Sequence, residues 1–142
     1  MGRIKQSQIT YWCHEIIRSQ AEAGGCYIDA TMGKGNDTLF LCELAGENGK
    51  VLAFDIQQEA LDATRELLRI HGKEQQAELI LDGHEHMDRY AMEESTDVIC
   101  FNFGYLPGGD HKLATTYQTS IEAIGKGLGI LKHGGMMSHV YL

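Results

Sequence analysis

Cys26-Tyr27-Ile28-Asp29-Ala30, followed by Thr31-Met32-Gly33-Lys34-Gly35-Asn36-Asp37, is the stretch that decides the fold. Its first part is a short, mostly apolar run of the length a buried strand needs. Its second part carries two glycines one residue apart, and a helical pattern begins directly after them. A strand that ends in a carboxylate and turns through Gly-x-Gly into a helix opens an α/β sheet whose ligands bind beyond the carboxyl ends of the strands.

The same alternation continues on both sides. Upstream, Ile9, Trp12, Cys13, Ile16 and Ile17 recur at helical spacing, which predicts an amphipathic helix over residues 7–23 with Trp12 on its core side. Downstream, the patterns predict a helix over 37–44 and a strand over 50–55. A helix carried by Ala60, Leu61, Ala63, Thr64, Leu67 and Leu68 follows and closes at Gly72. A strand over 77–81, a short helix over 85–92 and a strand over 97–103 come next. A glycine-rich loop over 104–110, a helix over 117–131 and a last strand over 136–142 complete the chain. Five strands separated by helices require right-handed crossovers, so the expected fold is α/β, a doubly wound, mostly parallel sheet covered on both faces. No linker, repeat or low-complexity tract interrupts residues 1–142, which read as a single domain.

The 142 residues hold 12 Lys and Arg against 20 Asp and Glu, a net charge of −8, and 43% of them are hydrophobic. That composition excludes disorder. The longest fully apolar runs, such as 98–101, are only four residues, far below the roughly 18 that span a bilayer. No charged-then-apolar leader opens the chain, so a soluble, cytoplasmic protein with no membrane partner is expected. The four cysteines lack CxxC spacing and read as reduced thiols, with Cys26 and Cys100 as small hydrophobes inside strands. His84 and His86 are too close in sequence to share a helical face, so no metal site is expected. The acidity is local: residues 74–97 hold eight acids against Arg89 alone, and the remainder is close to neutral. Wholesale binding of nucleic acid through a basic surface is excluded, whereas local contact is not.

Each of the first four predicted strands ends in groups suited to a ligand. Asp29 ends the first, and Asp55, twenty residues after Gly35, ends the second. The third ends in Asp82-Gly83-His84 and the fourth in Asn102-Phe103-Gly104-Tyr105. Asp55 is placed to accept from two ribose hydroxyls, which suits either a dinucleotide or S-adenosylmethionine. A pyrophosphate-binding loop wants a third glycine where this chain has Thr38, and the Asp29 carboxylate repels pyrophosphate. The same carboxylate suits the ammonium and sulfonium of S-adenosylmethionine, which is the favoured cofactor. Asp82 has two readings, acceptor of the adenine amino group or helix cap. The four residues from Asn102 are similar to the Asn/Asp-Pro-Pro-aromatic signature of methyltransferases acting on nitrogen, with Phe103 and Gly104 in place of the prolines. There a side-chain amide oxygen accepts from the target amine and the aromatic ring stacks on the base.

Taken together, the stretches 29–38 (DATMGKGNDT), 53–57 (AFDIQ), 82–84 (DGH) with Met87-Asp88, and 102–111 (NFGYLPGGDH) with Thr119-Ser120 resemble the bacterial rRNA methylase family. The resemblance covers essentially the whole chain, and residues 104–111 are its most specific part. It implies a Rossmann-like class I S-adenosylmethionine-dependent methyltransferase that modifies RNA. The acceptor it implies is 5-aminomethyl-2-thiouridine at the wobble position of the tRNA anticodon loop. An rRNA or small-amine acceptor is the alternative, and a truncated cofactor-binding domain without activity is a third. The expected cofactor set is Asp29, Met32, Gly33, Gly35, Asn36, Asp37, Asp55, Ile56, Gln57, Asp82, Gly83, His84 and Asn102. Family members run on past the equivalent of Leu142, so a sheet lacking its final strands is expected, with an edge strand open to a homodimer.

An alkylamine resembles lysine and is protonated at neutral pH, so a methyltransferase must desolvate it or take its proton. Asp110 and His111 are the candidate bases, Asn102 orients the amine and Tyr105 stacks on the base. The competing readings are a helix cap for Asp110 and an exposed loop residue for His111. Arg3, Lys5, Lys34 and Lys112 are candidate phosphate contacts.

Overall fold

Tyr27 and Ile28, Ala53 and Phe54, and the run from Val98 to Phe101 are buried at consecutive positions. Strands covered on both faces need this, since successive side chains point to opposite sides. The structure, a computed structural model, describes the backbone of residues 6–103 and 110–141 and the side chains of 8–103 and 118–140. In chain order these form α1 (Gln6–Gln20), β1 (Cys26–Asp29), α2 (Asn36–Ala45), β2 (Lys50–Asp55) and α3 (Gln58–Ile70). They continue as β3 (Ala77–Leu81), β4 (Thr96–Phe103), α4 (Asp110–Ile130) and β5 (Leu131–Tyr141), with short 3-10 segments at Glu74–Gln76 and His84–Arg89.

The five strands form one sheet in the order β3-β2-β1-β4-β5, and every neighbouring pair is parallel. The chain leaves β1 toward β2 and β3, then returns to place β4 on the other side of β1. The order therefore reverses between β1 and β4, and the connections on either side diverge above the strand ends to leave a crevice. On one face Ile17 of α1, Phe40, Leu41, Cys42 and Ala45 of α2, and Leu68 of α3 pack with Tyr27, Val51, Val98 and Cys100. On the other, Met87 of the 3-10 segment and Ala123 and Ile130 of α4 pack with Ile28, Phe54, Ile99 and Phe101. At the opposite end of the sheet Asp97 accepts from the Cys26 backbone N–H at 2.9 Å and pairs with Lys132 at 3.2 Å, tying β1, β4 and β5 together.

Several expectations are corrected. Trp12 is 51% exposed rather than in the core, beside exposed Tyr11 and Ile16. The inward stripe of α1 runs Ile9, Cys13, Ile17 in steps of four, and Trp12 lies one residue, about 100°, off it. Cys26 is exposed at the start of β1, whereas Cys42 and Cys100 are buried, and burial pushes the Cys42 thiol up to about 12. Helix α4 begins at Asp110 rather than 117, so Asp110 and His111 lie in its first turn and not on a loop. Strand β5 begins at Leu131, opposite Thr96; residues 132–135 bulge out before Met136 pairs with Val98. Tyr105 lies outside the described residues. No helix among the described residues is long and apolar enough to cross a membrane.

Candidate active site

The last residue of β1 is the least accessible charged group of the crevice. Asp29 is fully buried, and its carboxylate accepts from the Thr38 hydroxyl at 2.6 Å and the Thr31 backbone N–H at 3.1 Å. Burial, then the nearby Asp37 carboxylate, pushes its pKa up to about 7 against the partial relief of those two hydrogen bonds. With both oxygens engaged, Asp29 fastens the turn after β1 to the start of α2 and acts on a ligand through its field.

The two glycines of that turn do different work. Gly33 is exposed at φ +53°, and a side chain there would meet nothing nearer than the Thr31 carbonyl oxygen at 3.9 Å, so the space beside it is open. Its N–H donates to Asp55 Oδ2 at 3.1 Å, and Asp55 Oδ1 accepts from the Gln57 N–H at 3.0 Å. Gly35, at φ +92°, is buried; a Cβ there would lie 2.8 Å from Thr64 Oγ1 and 3.0 Å from Thr64 Cα. Gly35 therefore lets α3 close onto the turn, a packing role that the sequence did not show. Met32 is turned into the core with Ala53 and Leu61, so only its backbone borders the crevice. Asn36, Gln57 and Ile56 are exposed at the rim, Ile56 by 75%.

Asp37, in the first turn of α2, joins two distant elements. His14 Nε2 of α1 donates to its Oδ1 at 2.6 Å, and the Asn102 side-chain N–H donates to its Oδ2. The Asn102 backbone N–H donates to Thr31 Oγ1 at 2.6 Å, so the end of β4 is bound to the turn twice. Because an ionised carboxylate only accepts, the Asn102 amide nitrogen must face Asp37 and its Oδ1 is turned away.

At the end of β3, Asp82 Oδ1 accepts from its neighbour Gly83 N–H and from His86 Nδ1, both at 2.7 Å, and Oδ2 accepts from Tyr90 Oη at 2.8 Å. The His86 and Tyr90 hydrogen bonds hold its carboxyl down at about 2. Asp82 thus braces the 3-10 segment through side chains and does not cap it in the expected way; Oδ2 retains a lone pair for a ligand amine. His84 Nδ1 donates to the Ala30 carbonyl at 3.1 Å, and burial lowers its pKa, which favours a neutral ring with Nε2 as an acceptor.

The sequence reading missed His139 and the ring packing beside this crevice. The ring of His84 lies 5.8 Å from that of Phe101, and His139 of β5 stacks on Phe101 at 5.2 Å with planes 16° apart. Phe103 lies 6.3 Å from His84. Phe101 and Phe103 were legible as same-face neighbours on β4, but only the β4–β5 register brings His139 opposite Phe101. His14 and Thr31 were missed because their partners, Asp37 and Asn102, lie far from them in sequence. Of the candidate phosphate contacts, Lys34 is exposed in the turn; Arg3, Lys5 and the side chains of Lys112, Asp110 and His111 lie outside the described residues.

The sheet order, the glycine turn after β1 and the carboxylates ending β1 and β2 define the fold of class I S-adenosylmethionine-dependent methyltransferases. Within that class the chain belongs to the family described as "Putative rRNA methylase", whose model matches residues 51–142. A solved structure with the same description, from Clostridium thermocellum, is 40% identical with a TM-score of 0.82, covering 96% of this chain and 72% of its own. The Streptococcus mutans protein SMU.1697c, solved in complex with SAH, is 37% identical with a TM-score of 0.76, covering 95% of this chain and 73% of its own. The Arabidopsis thaliana "tRNA (mnm(5)s(2)U34)-methyltransferase, chloroplastic" is 33% identical over 98% of this chain and 53% of its own length. The chain thus spans about half the length of that curated relative.

Proposed function

We propose that the chain is an S-adenosylmethionine-dependent N-methyltransferase of RNA. Its acceptor is the primary amine of 5-aminomethyl-2-thiouridine at the tRNA wobble position, and its product is 5-methylaminomethyl-2-thiouridine. The observation that carries the reading is Asn102, whose amide is held with nitrogen on Asp37 and oxygen turned away, ready to accept from an amine at the end of β4. The Arabidopsis relative named for this modification supports the choice of acceptor.

The residues present fit the cofactor. The open side of Gly33 leaves room for close approach, and the half-exposed Asp55 has lone pairs left for ribose hydroxyls. The exposed Ile56 beside it suits the face of an adenine ring, with Asp82, Gly83 and His84 at the ring's edge. Asp29, Asp37 and Asp55 concentrate negative potential, since the last two both raise the pKa of the first, and that field favours a cation and opposes a pyrophosphate. S-adenosylmethionine supplies a methyl group on positively charged sulfur. The chain's task is to hold a neutral amine in line with that carbon, at about 3–3.5 Å. Asn102 Oδ1 fixes the nitrogen's orientation, and Asp110 or His111, in the first turn of α4, takes the proton that the amine gives up. A wobble base is single-stranded and can be splayed into such a site and stacked on an aromatic ring, Tyr105 in this reading.

An rRNA acceptor is the second reading, favoured by the family's description. Cytoplasmic location and assembly as a homodimer go with the proposal. Transfer of labelled methyl to tRNA carrying aminomethyl-thiouridine, compared with rRNA and with free alkylamines, tests it. Labelling of the tRNA alone is the expected result, and labelling of rRNA alone would replace the first reading by the second.

A further inference from the structure

Helix α1 is tied to the crevice through one side chain. His14 lies flat on Phe40, with ring centroids 3.9 Å apart and planes 3° from parallel, and its Nε2 donates to Asp37 at 2.6 Å. The stacking fixes the ring, so the N–H direction is fixed as well. The His14 and Asp37 side chains are only 18% and 12% exposed, which limits the competition from water for this hydrogen bond. The other Asp37 oxygen takes the Asn102 amide.

An asparagine amide has two nearly isosteric poses, related by exchange of its oxygen and nitrogen. Turned one way, Asn102 presents an acceptor to an incoming amine. Turned the other way, it presents NH2, which offers that amine nothing to donate to and competes for its lone pair. The carboxylate of Asp37 decides between the two, because an oxygen placed against it would set acceptor against acceptor. It can decide only while it is itself held in place.

We propose that His14 is a positioning residue for methyl transfer: by anchoring Asp37 it keeps the Asn102 amide oxygen, and not its NH2 group, turned toward the acceptor amine. The inference rests on the reading of the crevice as a methyl-transfer site and adds to it a residue on α1, a helix to which the sequence assigned no chemistry. The position requires an N–H donor, which the imidazole Nε2–H supplies.

Steady-state methyl transfer to tRNA carrying aminomethyl-thiouridine tests this, with retention of labelled S-adenosylmethionine as a separate readout. His14→Phe keeps a ring on Phe40 and removes the donor. Its kcat falls on the order of 10- to 100-fold, as a misplaced reacting group requires, while cofactor retention stays within about twofold. His14→Gln, whose amide N–H can donate to Asp37, restores most of the loss. Wild-type kcat in His14→Phe overturns the proposal. So does equal impairment of the two variants, or a loss of cofactor retention that matches the loss of turnover, because each reduces His14 to a packing role. A wild-type chain that holds cofactor but methylates no amine overturns the functional reading itself, and this inference with it.

Discussion

Gly33 donates its backbone N–H to Asp55 Oδ2 at 3.1 Å, so the turn after β1 and the end of β2 form one hydrogen-bonded unit. The carboxylate that would meet a ribose is held by the same turn that leaves room for the rest of the ligand. Gly35, two residues on, is spent on packing against Thr64.

That division predicts different failures for two similar substitutions. Gly33→Ala costs about 1–2 kcal/mol for its left-handed backbone and weakens cofactor retention more than it lowers the melting temperature. Gly35→Ala carries similar strain plus about 1–3 kcal/mol of overpacking against Thr64, and it lowers the melting temperature most. Adding Thr64→Ala to Gly35→Ala recovers part of that loss, although Thr64 Cα remains close. Thermal melts with cofactor titration check the pair, and indistinguishable variants would contradict the assignment.

Asp29 makes the fold and its ligand sensitive to pH. Its carboxyl titrates near 3.8 when exposed and at about 7 when folded, so the folded chain holds a proton that the unfolded chain has lost. Its contribution to stability is therefore full below about 4 and falls as pH rises through about 7. Asp29→Asn flattens that slope. A bound cation favours the ionised carboxylate, so S-adenosylmethionine binds more tightly as pH rises through about 7 and releases protons on binding near pH 6 to 7. Calorimetry in buffers of different ionisation enthalpy measures that release; its absence would show that Asp29 does not feel the ligand.

Asn102→Ala removes the acceptor proposed for the amine. Its kcat falls about 10²- to 10³-fold, the usual cost of losing one preorganised hydrogen-bonding group at a reacting centre. Retention of S-adenosylmethionine changes far less, because Gly33 and Asp55 remain. A variant that loses both equally would place Asn102 at the cofactor alone.

Helix α4 carries Gly125 and Gly129, both exposed and with nothing within 4 Å of where a Cβ would stand. Each change to alanine stabilises the chain by about 0.5–1 kcal/mol through helix propensity, read as a rise in melting temperature. A fall would mean that something covers this face in solution.

The strands and the acidic strand ends were legible because each depends on a few adjacent residues: an apolar run, then a polar group where the run stops. Asp29, Asp55, Asp82 and Asn102 were found in that way. What the sequence could not show were pairings between distant residues. His14 and Asp37 lie 23 residues apart, Asn102 and Asp37 lie 65 apart, and His139 meets Phe101 only through strand register. Trp12 was misplaced because the apolar residues of α1 fit two stripes, and the packing of Ile17 selects one. The early start of α4 was hidden by Thr115 and Thr116, weak helix formers that follow a glycine-rich stretch.

The most direct measurement is the mass of the wobble nucleoside. A tRNA carrying 5-aminomethyl-2-thiouridine is incubated with the chain and S-adenosylmethionine, digested and analysed. The account predicts that the aminomethyl nucleoside is replaced by one heavier by a single methylene, with the added carbon on the exocyclic nitrogen. An unchanged wobble nucleoside, in a preparation that holds cofactor and methylates ribosomal RNA instead, would contradict it.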